Sequence, residues 1–233
     1  MTIDTGPAEN AAEKPPAENT AEKPPAQKPL RADAARNRQA LIDAAERLFA
    51  LRGLSVTLDD IAVAAGVNVA TAYRHFANKH ELADAFIEQR IELALRIATD
   101  AAAAADPAAG LREFLSQTLE LMVANRGLLD VFTPRLAAEA LERLDERIDP
   151  ALHALIDRCR AAGVIRGDVE PTDLRVILQM LGTLGDIPTD DRPLLLARYL
   201  ELMLASLRPT GDRLPGHPPT PAQARAGVTG AAR

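Results

Sequence analysis

Thr71, Tyr73, Arg74, His75 and Lys79 lie within nine consecutive residues and offer a hydroxyl, a phenol, a guanidinium, an imidazole and an ammonium on one short stretch. That set suits nucleic acid better than catalysis. An outward arginine can give two hydrogen bonds to guanine O6 and N7 and so read a base. The other four suit phosphate oxygens, contacts that fix register without carrying sequence information. Bond-breaking chemistry would need a nucleophile beside a base, or ligands at metal spacing. Instead His75, His80, His153 and His217 are scattered, and none has a His or Cys three or four residues on. No enzymatic activity, metal or cofactor is expected.

The elements that must hold this stretch are legible from their caps. Thr57 is a natural N-cap, with Asp59 and Asp60 in the first turn, where the positive helix end favours carboxylates. A helix follows from Leu58 to Ala65, and Gly66 stands where a left-handed backbone usually closes one, with Val67 packing back on the turn. Asn68 caps a second helix, Val69 to Ala77, and Asn78 caps a third with Glu81 in the box position. This is the pattern of a helix-turn-helix, whose second helix enters the DNA major groove. Spacing puts Val67, Ala72 and Phe76 on an inward edge and turns Ala70, Thr71 and Arg74 outward. Each polar residue also has a plainer reading: Tyr73 as a core aromatic, Arg74 as a solvated arginine, His75 as a buried, hydrogen-bonded histidine.

The run Thr57…Ile61-Ala62…Ala65-Gly66-Val67…Thr71-Ala72-Tyr73-Arg74-His75-Phe76…Asn78-Lys79…Leu82 resembles the DNA-binding signature of the TetR family of transcriptional regulators. The resemblance implies an all-α homodimer with a small N-terminal reader and a larger effector-binding domain. It implies roles by position: Thr57, Thr71, Tyr73, His75 and Lys79 towards phosphates, Arg36 and Arg38 towards the DNA backbone, and Val69, Ala70 and Arg74 towards bases. Ala72 stands where the family usually has a larger aliphatic residue and Val69 where a polar one is common. Base reading here therefore leans on Arg74 and on methyl contacts to thymine.

The net charge of −6 runs against DNA binding until it is divided by region. Residues 31–80 carry seven basic against five acidic side chains, a balance of +2, and residues 81–208 fourteen against twenty-two, a balance of −8. A mildly basic reader on an acidic body orients towards DNA, with modest non-specific affinity that is sensitive to salt. The single Cys159 excludes an internal disulfide and reads as a small buried thiol. No apolar run reaches a membrane span and the first residues lack the pattern of a signal peptide. The expected location is the cytoplasm, at the nucleoid when bound to an operator.

Along the chain, residues 1–30 carry a nine-residue repeat, PAENAAEKP at 7–15 and PAENTAEKP at 16–24, and read as a disordered arm. Residues 31–80 form the reader, with a first helix from about Asp33 to Arg52 whose inner face holds Leu41, Ala45, Leu48, Phe49 and Arg52. Residues 81–208 form the effector-binding and dimerisation domain, entered by a long helix from Asn78 to Ala104 with Leu82, Ala85, Phe86, Leu93 and Ile97 inward. Further helices are expected at 111–129, from Pro134 through Arg147, and at 150–161 after Pro150; acidic residues between 139 and 149 read as a solvated face. Two nearly all-apolar helices, about 172–184 and 192–208, suit a dimer interface to which each subunit gives two; the alternative is the core of a monomeric bundle. Residues 209–233, rich in proline, read as a second disordered tail.

These readings converge on an all-α fold of about nine helices and on a homodimeric repressor of a palindromic, double-stranded operator. A pocket lined by Phe86, Leu115, Leu119, Met122, Phe132 and Leu155 would take a mainly apolar effector, although residues of these types are more often core than pocket. The rival from another class is an architectural protein that binds DNA without regard to sequence.

Overall fold

The structure, a computed structural model, describes residues 1–2, 27–124, 134–209 and 211–230. Among these there are nine α-helices and no strand: α1 (Gln27–Arg52), α2 (Leu58–Ala65), α3 (Val69–His75), α4 (Lys79–Ala103), α5 (Pro107–Ala124), α6 (Pro134–Ala161), α7 (Pro171–Gly182), α8 (Arg192–Ser206) and α9 (Pro221–Gly230). Single 3-10 turns follow α1 at Gly53–Ser55 and α7 at Thr183–Asp186. The all-α expectation holds.

Two apolar cores organise these helices. The first gathers Leu41, Phe49, Ile61, Ala72, Phe76 and Leu82 from α1 to α4, and takes in Phe86, Ile91 and, from α6, Ala137 and Ala140. The second gathers Ile97 and Ala101 of α4, Leu111, Leu115 and Leu119 of α5, Leu152, Leu155 and Cys159 of α6, and Leu174, Leu178 and Leu200 of α7 and α8. Only α4 and α6 contribute buried residues to both cores, and they pack on each other along their length. Salt bridges reinforce that pair: Arg147 reaches Glu88 and Glu92, and Arg143 lies 3.8 Å from Asp84. Arg90 of α4 pairs with Glu46 of α1 and stacks over the Phe86 ring at 5.0 Å, while Gln39 and Gln89 exchange amide hydrogen bonds.

Several boundaries differ from the sequence reading. Helix α1 begins at Gln27, so the end of the expected arm is helical; the repeats lie outside the described residues. Helix α5 begins at Pro107, because Asp106 caps it with a carboxylate that accepts the Ala108 amide at 2.9 Å, and proline at the first helical position sacrifices no bond. A Cβ on Gly110 would sit 2.5 Å from the Ala101 carbonyl oxygen, so the α4–α5 corner closes only around glycine. Residues 125–129 of the expected fifth helix lie outside the described residues.

Three expectations are overturned. Pro150 does not divide α6, which runs unbroken through it. A proline removes one backbone bond, and here the flanking turns are fixed by packing, Ala140 and Leu144 on the first core and Ile148 and Leu152 on the second. The acidic face of α6 is also not wholly solvated: Asp145 is 3% exposed and is shared by Arg175 and Arg225. The proline-rich C-terminal stretch, expected to be disordered, ends in helix α9, which packs on α6 and α7 with Ala224 buried. Gln179 donates to the Ala224 carbonyl at 2.9 Å, a tertiary contact that composition could not foretell.

Candidate nucleic-acid interface

Helix α3 is too short to be stable alone, and its neighbours fix it through caps. Thr57 and Asp60 form a reciprocal box at the start of α2: the Thr57 hydroxyl accepts the Asp60 amide at 3.1 Å and the Asp60 carboxylate accepts the Thr57 amide at 3.0 Å. Gly66 closes α2 at φ 65, and the Val67 amide reaches back to the Ala62 carbonyl at 3.0 Å, which leaves Val67 buried against the turn. The Asn68 side chain accepts the Ala70 amide at 2.9 Å and starts α3. Helix α3 ends at His75, two residues earlier than its apolar spacing predicts, because Phe76 turns extended and is buried with Ala72. Asn78 then accepts the His80 and Glu81 amides, while Glu81 takes the Ala77 amide at 2.6 Å, one residue earlier than an ideal box.

With Ala72 and Phe76 inward, α3 presents Ala70, Tyr73 and Arg74 exposed and Thr71 half-buried. Val69 is half-buried against the first core, so less of it is open to a base than of Ala70. Lys79 is half-buried at the first residue of α4. Arg38 of α1 lies with its guanidinium 5.2 Å above the Phe76 ring, which brings it beside the end of α3, and Arg36 pairs with Asp33. The Thr57 hydroxyl donates to Asp60 at 2.8 Å, so a hydrogen bond from it to phosphate requires that proton to turn away. His75 is half-buried, and its Nε2 is enclosed without a hydrogen-bond partner.

Sequence reasoning missed Asp59. The nearby Asp59 carboxylate pushes the Tyr73 phenol above its ordinary range, chiefly by hydrogen bonding and then by its charge. The two residues are fourteen apart and meet only because α3 folds back on α2, so no local spacing signals the contact.

Of the six residues expected to form an effector pocket, Leu115, Leu119, Met122 and Leu155 share the second core and Phe86 lies in the first, under Arg90. Leu115, Leu119 and Leu155 are 0–2% exposed in the second core, with Met122 packed against them. Phe132 lies outside the described residues. Among the described residues no group of three or more His, Cys, Asp or Glu could hold a metal ion, and no helix is long and apolar enough to cross a membrane.

Comparison with known proteins agrees with this geometry. Residues 41–86 match the model of bacterial regulatory proteins of the TetR family, and residues 106–209 match the C-terminal domain of SbtR-like transcriptional regulators. The HTH-type transcriptional regulator TtgR of Pseudomonas putida is 37% identical over 109 residues; the match spans 46% of this chain and about half of that protein's length, 50%. The crystal structure of a TetR transcription regulatory protein from Mycobacterium vanbaalenii superposes with a TM-score of 0.60 at 30% identity, covering 77% of this chain and 99% of that one. A TetR transcriptional regulator from Streptomyces coelicolor gives the same TM-score, 0.60, at 30% identity over 75% of this chain and 99% of its own. The chain belongs to the TetR family of bacterial regulatory proteins.

Proposed function

We propose that this protein is a DNA-binding transcriptional regulator, a homodimeric repressor of a palindromic operator that a small, mainly apolar ligand releases. The observation that carries the reading is the division of α3: Ala72 and Phe76 are 0% and 2% exposed, while Ala70, Tyr73 and Arg74 face solvent. A seven-residue helix so anchored can enter a major groove with Arg74 donating to guanine and Ala70 against a thymine methyl. Thr71, Lys79, Arg36 and Arg38 fit phosphate contacts around it.

Apolar surface on α7 and α8 supports dimerisation. Met180 of α7 and Leu194, Tyr199 and Leu202 of α8 are 37–71% exposed, a cost in water that a second copy would relieve. A two-fold dimer would set two copies of α3 against successive major grooves, about 34–36 Å apart. A ligand that binds better to a dimer of another spacing lowers operator affinity by population shift. The acidic body and mildly basic reader fit a protein of the cytoplasm working at the nucleoid.

The test is selection of bound fragments from genomic DNA by the full chain. Enrichment of a shared palindrome supports the reading; uniform recovery of fragments contradicts it and favours sequence-blind architectural binding.

A further inference from the structure

The C-terminal segment from Gly211 to Gly230 spans α7 as a strap held at both ends. At the near end the Asp168 carboxylate accepts the Leu214 amide at 2.7 Å, and Arg166 donates to the Asp212 carbonyl. At the far end Gln179 donates to the Ala224 carbonyl and Arg225 to Asp145 at 3.0 Å. Between these anchors the strap does not close on the body. A cleft of about 520 Å3 remains, walled by Val169, Val176, Ile177 and Leu207 of the body and by Leu214 and Pro219 of the strap.

The polar groups of the cleft wall are already engaged. Arg166 lies side-on to Asp168, Asp173 accepts the Glu170 amide at 2.8 Å, and the Ser206 hydroxyl donates to the Met203 carbonyl at 2.7 Å. The Arg166 guanidinium and the Leu214 amide hold the Asp168 carboxyl far below the usual carboxylate range, so that pairing persists at any physiological pH. Arg166 and Asp168 neutralise each other and the Asp173 carboxylate is taken up by the Glu170 amide, so an anion entering the cleft would lose hydration without gaining a counter-charge, and the apolar wall favours a neutral guest. The volume falls within the range of small-molecule sites, about 300–1,000 Å3.

We propose that this cleft is a binding site for a small, uncharged, predominantly apolar molecule, and that the Gly211–Gly230 strap is its lid. The site lies apart from the tightly packed Leu115, Leu119 and Leu155 and draws a third of its apolar wall residues from the strap. It requires nothing of DNA binding, so it is testable on the DNA-free protein whether or not the operator reading holds.

The experiment is titration of the full chain with the neutral dye N-phenyl-1-naphthylamine, followed by fluorescence. The expected result is saturable enhancement at about one dye per chain, with affinity reduced at least about tenfold in Ile177→Trp, whose indole occupies the cleft from α7. Leu214→Trp fills it from the strap, where Leu214 is 45% exposed and the body need not rearrange. Leu51→Ser removes a 79% exposed apolar side chain of α1 and is expected to leave dye binding unchanged. Dye uptake that never saturates, or binding to folded Leu214→Trp as tight as to the unmodified chain, overturns the proposal.

Discussion

Asp145 of α6 and Arg175 of α7 form an ion pair whose side chains are 5% and 16% exposed, and Arg225 of α9 completes it from the carboxylate's other oxygen. The triad lies within a turn and a half of Pro150, between the half of α6 that packs on the reader and the half that packs on the body. Removing the carboxylate takes the partner from Arg225 and leaves Arg175 only Asp149 at 3.9 Å, so Asp145→Ala is expected to lower stability by about 3–5 kcal/mol. Arg225, 30% exposed and second to Arg175, is expected to cost about 1 kcal/mol when replaced by alanine. Urea unfolding of the three proteins checks the order, and equal losses would contradict it.

Gly110 sets the α4–α5 corner. Its missing Cβ would meet the Ala101 carbonyl oxygen at 2.5 Å and the Ala104 Cβ at 3.0 Å, and the first of these is backbone that cannot swing aside. Gly110→Ala is expected to destabilise by about 1–3 kcal/mol, despite the better helix propensity of alanine. Thermal unfolding decides; a more stable variant would show that the corner can relax.

Three carboxylates are held below their ordinary range: Asp60 by the Thr57 amide and hydroxyl, Glu92 by Arg147, and Asp168 by Arg166 and the Leu214 amide. A depressed folded value means that the unfolded chain takes up protons first on acidification. The stabilisation is therefore complete above the unfolded carboxylate range, about pH 4–5, and is lost as pH falls towards the folded values. Stability measured from pH 7 to pH 3 is expected to be flat and then to fall, with a shallower acid limb in Asp168→Asn. An unchanged acid limb in that variant would remove Asp168 from the account.

Leu194 and Leu202 stand 71% and 51% exposed on α8. If they meet a second copy, Leu194→Glu combined with Leu202→Glu places like charges in the interface and yields a monomer by analytical ultracentrifugation, with the helical circular dichroism retained. A dimer that survives both substitutions would move the interface elsewhere.

What the sequence made legible was local. Thr57 with Asp60, Gly66, Asn68 and Asn78 declare their roles through contacts a few residues away, and the structure places each at the helix end its type predicts. What it concealed depends on distant partners. Asp145 reads as one more surface acid until Arg175 and Arg225, thirty and eighty residues on, enclose it. Pro150 looks like a helix end because a proline's local cost is visible, whereas the packing of its flanks on two cores is not. Phe86 reads as pocket lining by its place on the long helix, yet α1 and α6 pack on α4 and Phe86 is buried in the first core. The strap failed for the same reason: Pro-rich composition argues against structure, and α9 is held by Asp145 and Gln179.

The central claim is that exposed side chains of α3 read a DNA sequence, and Arg74 tests it most directly. Binding of the unmodified chain and of Arg74→Ala is measured on the palindrome recovered from genomic selection and on scrambled DNA of equal length, across a salt series. The account predicts a loss of about 1–3 kcal/mol on the palindrome, with weak, salt-sensitive binding to scrambled DNA much less affected. Equal affinity of the two proteins for the palindrome would contradict it, because the guanidinium would then contact no base.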